Sequence, residues 1–182
     1  MIYADPPWDY DRGHYQDKGR KPKEINEFYP TMDIEDIKKL TVNNITKDNC
    51  LLFIWVTDSH LAKGIEVIQA WGFEYKTVAF NWIKKYKNGS RCVNFAPYTL
   101  KSWELCLLGT KGTPTKLLEE SNIQGYVKAV RSKHSKKPNE VRKRIEQLVE
   151  GRQNLFGINP KDKIELFARK KSNGWDVWGN EV

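Results

Sequence analysis

The sequence predicts an α/β domain: a doubly wound, largely parallel sheet with helices on its faces. Three observations carry that expectation. Apolar segments of strand length alternate with amphipathic segments of helix length along the chain. The run Leu51–Val56 (LLFIWV) is continuously apolar, as a strand covered on both faces should be. Breakers stand between the segments, as at Pro6, Pro7, Gly72 and Pro138. The 182 residues suffice for one core and not for two, so one domain over 1–182 is expected.

Taken in order, IYA at 2–4 reads as a short buried strand that stops at Asp5-Pro6-Pro7, because proline cannot donate to a ladder. Residues 9–30 are polar, lysine-bearing and without periodicity, which predicts a long functional loop. Ile34, Ile37 and Leu40 mark a short helix with Asp33 near its start. After the Leu51–Val56 strand, Asp58-Ser59 is expected to cap a helix carrying Leu61, Ile65 and Ile68, which Gly72 closes. Residues 73–83 and 103–109 read as strands joined by a polar loop around Lys87-Asn88-Gly89, with a further strand at Tyr126–Val130. Pro138 suits the first turn of a helix that buries Val141, Ile145, Leu148 and Val149. KIELFA at 163–168 is a strand, and 175–178 is a last extended piece. Ligands of such a sheet gather at the carboxyl ends of its strands.

Composition excludes several classes. Hydrophobic residues are 39% of the chain, and no apolar run approaches the roughly 20 residues of a membrane helix. MIYADPPW shows no basic-then-apolar leader, so no secretory signal is expected. Cys50, Cys92 and Cys106 are odd in number and widely spaced, unlike a disulfide framework or a metal site, which points to reduced thiols and a cytoplasmic location, or a nuclear one in a eukaryote. His14, His60 and His134 are scattered and read as surface residues; no metal is expected. Lys and Arg number 31 against 23 Asp and Glu, a net charge of +8, concentrated at 12–23 and 128–144. A basic run is often only a solvated face, but two of them point to a polyanion such as nucleic acid.

The informative motif is Asp5-Pro6-Pro7-Trp8, directly after a strand. An aromatic exocyclic amino group such as that of adenine is a poor nucleophile, because its lone pair is delocalised into the ring. Two acceptors held together, the Asp5 carboxylate and the Pro6 carbonyl, would pull on its hydrogens and free the lone pair. Prolines 6 and 7 fix φ and hold the acceptors rigid. Trp8 offers a flat face for an extruded base, a contact worth roughly 1–3 kcal/mol. Catalysis would then rest on orientation and electrostatics. A capped strand end is the plainer account of Asp-Pro alone. No G-x-G-x-x-G follows a strand, and there is neither a P-loop nor zinc-ligand spacing.

These residues resemble the methyltransferase family related to the catalytic 70-kDa subunit of the eukaryotic mRNA N6-adenosine methyltransferase. The likeness spans almost the whole chain. It rests on YADPPW at 3–8, YPTM at 29–32, LFIWVT at 52–57, WGFEY at 71–75, ELCLLGTKG at 104–112, HSKKPNEV at 134–141, KIELFARK at 163–170 and GWDVWGNEV at 174–182. The resemblance implies a Rossmann-like, S-adenosylmethionine-dependent fold in permuted order, the catalytic motif first. It implies Asp5, Pro6, Pro7 and Trp8 as the catalytic loop and Tyr29, Glu104 and Lys137 beside the substrate. It implies Asp5, Lys137, Arg169, Asn180 and Glu181 around the cofactor, Glu181 standing where the eukaryotic enzyme has glutamine. Plainer accounts exist too: Tyr29 as an exposed loop aromatic, Lys137 and Arg169 as solvated charges, Asn180 as a turn residue. The 134–137 region has an extra basic residue relative to the eukaryotic pattern, which shifts the match of His134 and Lys136 by up to one position. The family usually carries more chain ahead of the catalytic strand, where backbone helps hold the cofactor's adenine, so the adenine is expected to be held less tightly or by a differently built pocket.

The expected activity is transfer of a methyl group to the N6 amino group of adenine in nucleic acid, DNA ahead of RNA. Compact bacterial and phage-type members are the nearer likeness. A homodimer, or a heterodimer with a related subunit, is compatible with it. Two alternatives are a non-catalytic partner subunit, against which Asp5 argues, and methylation of the cytosine amino group.

Overall fold

In the computed structural model, residues 1–9, 30–95, 98–132, 136–150, 162–180 and 182 are described. Nine strands and three α-helices alternate within them. They are β1 (Ile2–Ala4), α1 (Ile34–Lys39), β2 (Cys50–Val56), α2 (Leu61–Ala70), β3 (Glu74–Lys85), β4 (Asn94–Phe95), β5 (Leu100–Lys101), β6 (Trp103–Lys111), β7 (Tyr126–Val130), α3 (Asn139–Glu150), β8 (Ile164–Leu166) and β9 (Asp176–Trp178). Seven strands form one sheet in the order β7-β3-β6-β2-β1-β8-β9, and β4 and β5 make a small hairpin outside it. β1 pairs in parallel with β2 and β8, β8 with β9, and β3 with β7. Only β6 runs against its neighbours β2 and β3. The predicted mostly parallel α/β sheet is therefore present, with one reversed strand.

Period-2 alternation decides which core each side chain joins. Leu52, Ile54 and Val56 of β2 pack with α1 and α2 on one face; Leu51, Phe53 and Trp55 pack with α3 on the other. All seven residues of β2 are buried, as its unbroken apolar run requires. Gly64 lets α2 lie close on that strand, since a Cβ there would come within 2.4 Å of Val56 Cγ1. Val141, Ile145 and Val149 are the buried stripe of α3; Leu148 is only partly buried against it.

Local signals hold at α1, where the Asp33 carboxylate accepts from Glu35 N–H at 2.8 Å. Gly72, at φ 81°, follows α2 as its sequence position predicts. The Asp58-Ser59 cap is corrected: Asp58–His60 is a 3₁₀ turn leading into α2, and the residue at the cap is His60, whose side chain makes no cap bond. The loop expected over 9–30 lies mostly outside the described residues, as do the 12–23 basic stretch, Tyr29, His134 and Glu181.

Candidate active site

The parallel strands all point one way, so their carboxyl ends make one edge of the sheet, and the chain order reverses there about β1. Asp5 follows β1, Thr57 follows β2, Lys84 lies at the end of β3 and Arg169 follows β8. Because β6 runs backwards, its first residues reach the same edge and deliver Glu104. Lys137 arrives from the segment ahead of α3. Asp5, Pro6, Pro7, Trp8, Trp55, Val56, Thr57, Glu104, Lys137 and Arg169 line one cleft of about 370 Å3, open mouth included.

The floor of the cleft is a chain of buried charges. Lys137 Nζ is 2.8 Å from Asp5 Oδ1 and 3.2 Å from Glu104 Oε2. Glu104 Oε1 accepts from the Lys84 ammonium on its other side. Burial raises the Asp5 carboxyl above the ordinary aspartate value, and the Lys137 charge pulls it back without cancelling the rise. Burial also pushes Glu104 upward, but Lys137 and Lys84 together outweigh it and hold that carboxyl low. Lys137 resists the burial that would neutralise it, because Asp5 and Glu104 raise its affinity for the proton above the usual lysine value. Its ammonium also sits 5.6 Å from the Trp55 ring centroid. The solvated-charge account of Lys137 is thus excluded: only 12% of its side chain is exposed.

The 5–9 segment is tied down at several points. Trp8 N–H donates to the Pro6 carbonyl at 2.9 Å, which tightens the turn and leaves that oxygen's second lone pair for another donor. Met32 N–H donates to the Pro7 carbonyl at 2.8 Å. Trp8 itself is 5% exposed, and its indole N–H donates to the Trp55 carbonyl at 2.8 Å. The expectation that Trp8 offers a stacking face is corrected: its ring fills the core against α1 and α2 and anchors the loop. His60, expected at the surface, is 4% exposed and packs on Trp8 with ring centroids 5.7 Å apart.

Arg169 lines the cleft half-buried and lowers the Asp5 carboxyl through its charge. Asn180 is exposed in the turn after β9, outside the residues that line the cleft. Gly179 brings that turn against β8, since a Cβ there would meet the Ala168 carbonyl oxygen at 2.3 Å. The 128–144 basic stretch is partly consumed by the fold. Arg142 pairs with Glu165 at 2.5 Å and covers the Tyr3 and Trp175 rings, while Arg144 donates to the Gln124 and Tyr126 carbonyls. Lys128, Arg131, Lys136 and Lys143 remain exposed.

Sequence reasoning missed Lys84 and His60. Lys84 carried a signal: Phe80, Trp82 and Lys84 share the inward phase of β3, so a lysine there had to be buried. His60 lies three residues beyond Thr57, and nothing local marks it as inward. Among the described residues no group of three or more His, Cys, Asp or Glu forms a metal site, and no helix is long and apolar enough to cross a membrane.

A family model described as MT-A70 matches residues 1–181. The chain is 37% identical to the Type II methyltransferase M.MunI of Mycoplasma sp., covering all of this chain and 77% of that protein. It is 28% identical to the N(6)-adenosine-methyltransferase MT-A70-like protein of Drosophila melanogaster and 27% identical to the human N(6)-adenosine-methyltransferase catalytic subunit METTL3. In those two cases it spans all of this chain but only 26% and 28% of the relative.

Proposed function

This chain belongs to the MT-A70 family, and from that premise we propose that it transfers a methyl group from S-adenosylmethionine to the N6 amino group of adenine in DNA. The observation that carries the reading is that Asp5 and Pro6 both line the cleft, with the Asp5 carboxylate held by Lys137 and the Pro6 carbonyl by the Trp8 N–H. Lys137 takes one oxygen of Asp5, and a carboxylate has another to offer an amino hydrogen. Burial raises the proton affinity of Asp5, which makes it a better acceptor for that hydrogen than a solvated aspartate. The turn held by Trp8 and Met32 keeps both acceptors in place, so little reorganisation is needed when charge develops on the nitrogen.

The cofactor's chemistry fits the donors present. An ammonium (Lys137), a carboxylate (Asp5), a guanidinium (Arg169) and, further out, an amide (Asn180) suit an amino-acid group and a ribose at the carboxyl edge. S-adenosylmethionine, when bound, supplies a methyl group activated by its sulfonium. DNA is favoured over RNA because the higher identity lies with the type II methyltransferase, not with the proteins named for adenosine. The exposed Lys128, Arg131, Lys136 and Lys143 would neutralise phosphates without reading bases.

The test is methyl transfer from radiolabelled S-adenosylmethionine to matched unmethylated DNA and RNA oligonucleotides, followed by nucleoside digestion. N6-methyladenine in the DNA is the expected product. N4-methylcytosine, or no transfer to either polymer, overturns the reading. Preferential labelling of RNA overturns the substrate and leaves the adenine chemistry.

A further inference from the structure

The 5–9 segment leans on a residue that the chemistry above does not use. His60 Nε2 lies 2.9 Å from the Asp9 carbonyl oxygen. A carbonyl can only accept, so Nε2 carries a proton; burial lowers the imidazole's proton affinity, which keeps the ring neutral and leaves Nδ1 an acceptor. Nδ1 is 2.9 Å from Thr57 Oγ1 and 3.1 Å from Ser59 Oγ, and those hydroxyls are 3.0 Å from each other. One hydroxyl therefore donates to the ring while the other donates to it, and the imidazole is held in a single orientation. Its face packs on Trp8. The ring thus joins the carboxyl end of β2 to Asp9, four residues beyond Asp5.

We propose that His60 is a positioning residue for methyl transfer, a neutral donor that fixes the Asp9 carbonyl and, through Trp8, the placement of Asp5 and Pro6. The proposal rests on the methyl-transfer function given above. Two anchors of the segment come from β2 and its exit: the Trp55 carbonyl that receives the Trp8 indole, and His60. Without the second, the Trp8 indole and the Met32–Pro7 bond still hold the middle of the segment, but the Asp9 carbonyl and the face of Trp8 lose their support and the turn can shift. Misplacement of the acceptors by about 1 Å is enough to cost roughly 10²-fold in rate. His60 is not among the residues that line the cleft, so its loss should fall on kcat and leave the KM for S-adenosylmethionine nearly unchanged.

His60→Gln and His60→Met test this as a pair. The two side chains are similar in length and volume, but only glutamine presents an N–H toward Asp9. Turnover is read as S-adenosylhomocysteine release, so the comparison is independent of which base or polymer is methylated. Expected is a His60→Gln variant within a few-fold of wild type and a His60→Met variant about 10²-fold lower in kcat, at similar melting temperatures. Equal kcat in the two variants, whether both near wild type or both reduced alike, overturns the donor role. A wild-type product other than N6-methyladenine overturns the function proposed above while the Gln/Met comparison still stands.

Discussion

Lys137 Nζ stands 2.8 Å from Asp5 Oδ1 and 3.2 Å from Glu104 Oε2, so one buried ammonium joins the two carboxylates of the cleft. Each of the three comes from a different part of the chain, and each changes what the others can do.

Replacing Asp5 with Asn keeps the shape and removes the charge proposed to polarise the amino group. Turnover should fall by roughly 10²–10³-fold, the range for preorganised electrostatic groups. Near-normal turnover in a folded Asp5→Asn protein would reject the role.

The same two carboxylates should act oppositely on stability. The folded state holds the Asp5 proton more tightly than the unfolded chain does, so ionising Asp5 costs stability as pH rises above its ordinary value of 3.8. Glu104 titrates below its ordinary 4.5, so its contribution is present above that pH and is lost as pH falls through the folded value. At pH 7, Asp5→Asn should therefore melt no lower than wild type and Glu104→Gln should melt lower. If activity uses ionised Asp5 as proposed, the acid limb of kcat should begin above the pH expected of a solvated aspartate. Lys137 should give no limb below its ordinary 10.5. Melting curves and a kcat–pH profile check these signs.

Lys137→Met removes the cation between two buried acids. Breaking a buried pair in this way typically costs about 3–5 kcal/mol. The variant should show a large drop in melting temperature at pH 7, in part recovered on mild acidification as Asp5 takes a proton. A melting temperature unchanged from wild type would mean that Lys137 is solvated in solution.

Trp8→Phe preserves most of the packing and leaves the buried Trp55 carbonyl without its indole donor, at a cost of about 1–3 kcal/mol. As an anchor, Trp8 should affect duplex and single-stranded substrates by the same factor. A loss confined to duplex substrate would restore the stacking role, since only there must a base be extruded.

Gly179→Ala forces a Cβ onto the Ala168 backbone. Overpacking of this kind costs about 1–3 kcal/mol, and it should displace the turn that carries Asn180. Calorimetry should show weakened S-adenosylmethionine binding. Unchanged affinity would remove the β9 turn from the cofactor site.

The sequence by itself determined the strands of the main sheet and the turn after β1, because those signals are local; the β4–β5 hairpin, two residues a side, left no such signal. An apolar run such as Leu51–Val56 needs cover on both faces, Pro6 and Pro7 end β1 wherever it lies, and Asp33 caps α1 through a residue two positions on. Tertiary structure alone decided what meets Asp5. Glu104 reaches that edge because β6 runs against its neighbours, Lys84 meets Glu104 there from the end of β3, and Lys137 arrives because α3 returns to the sheet. The sequence likewise left Trp8 and His60 without a direction. A side chain past the end of a strand has no period to obey, and only the closure of α1 and α2 over β2 turned Trp8 inward as an anchor.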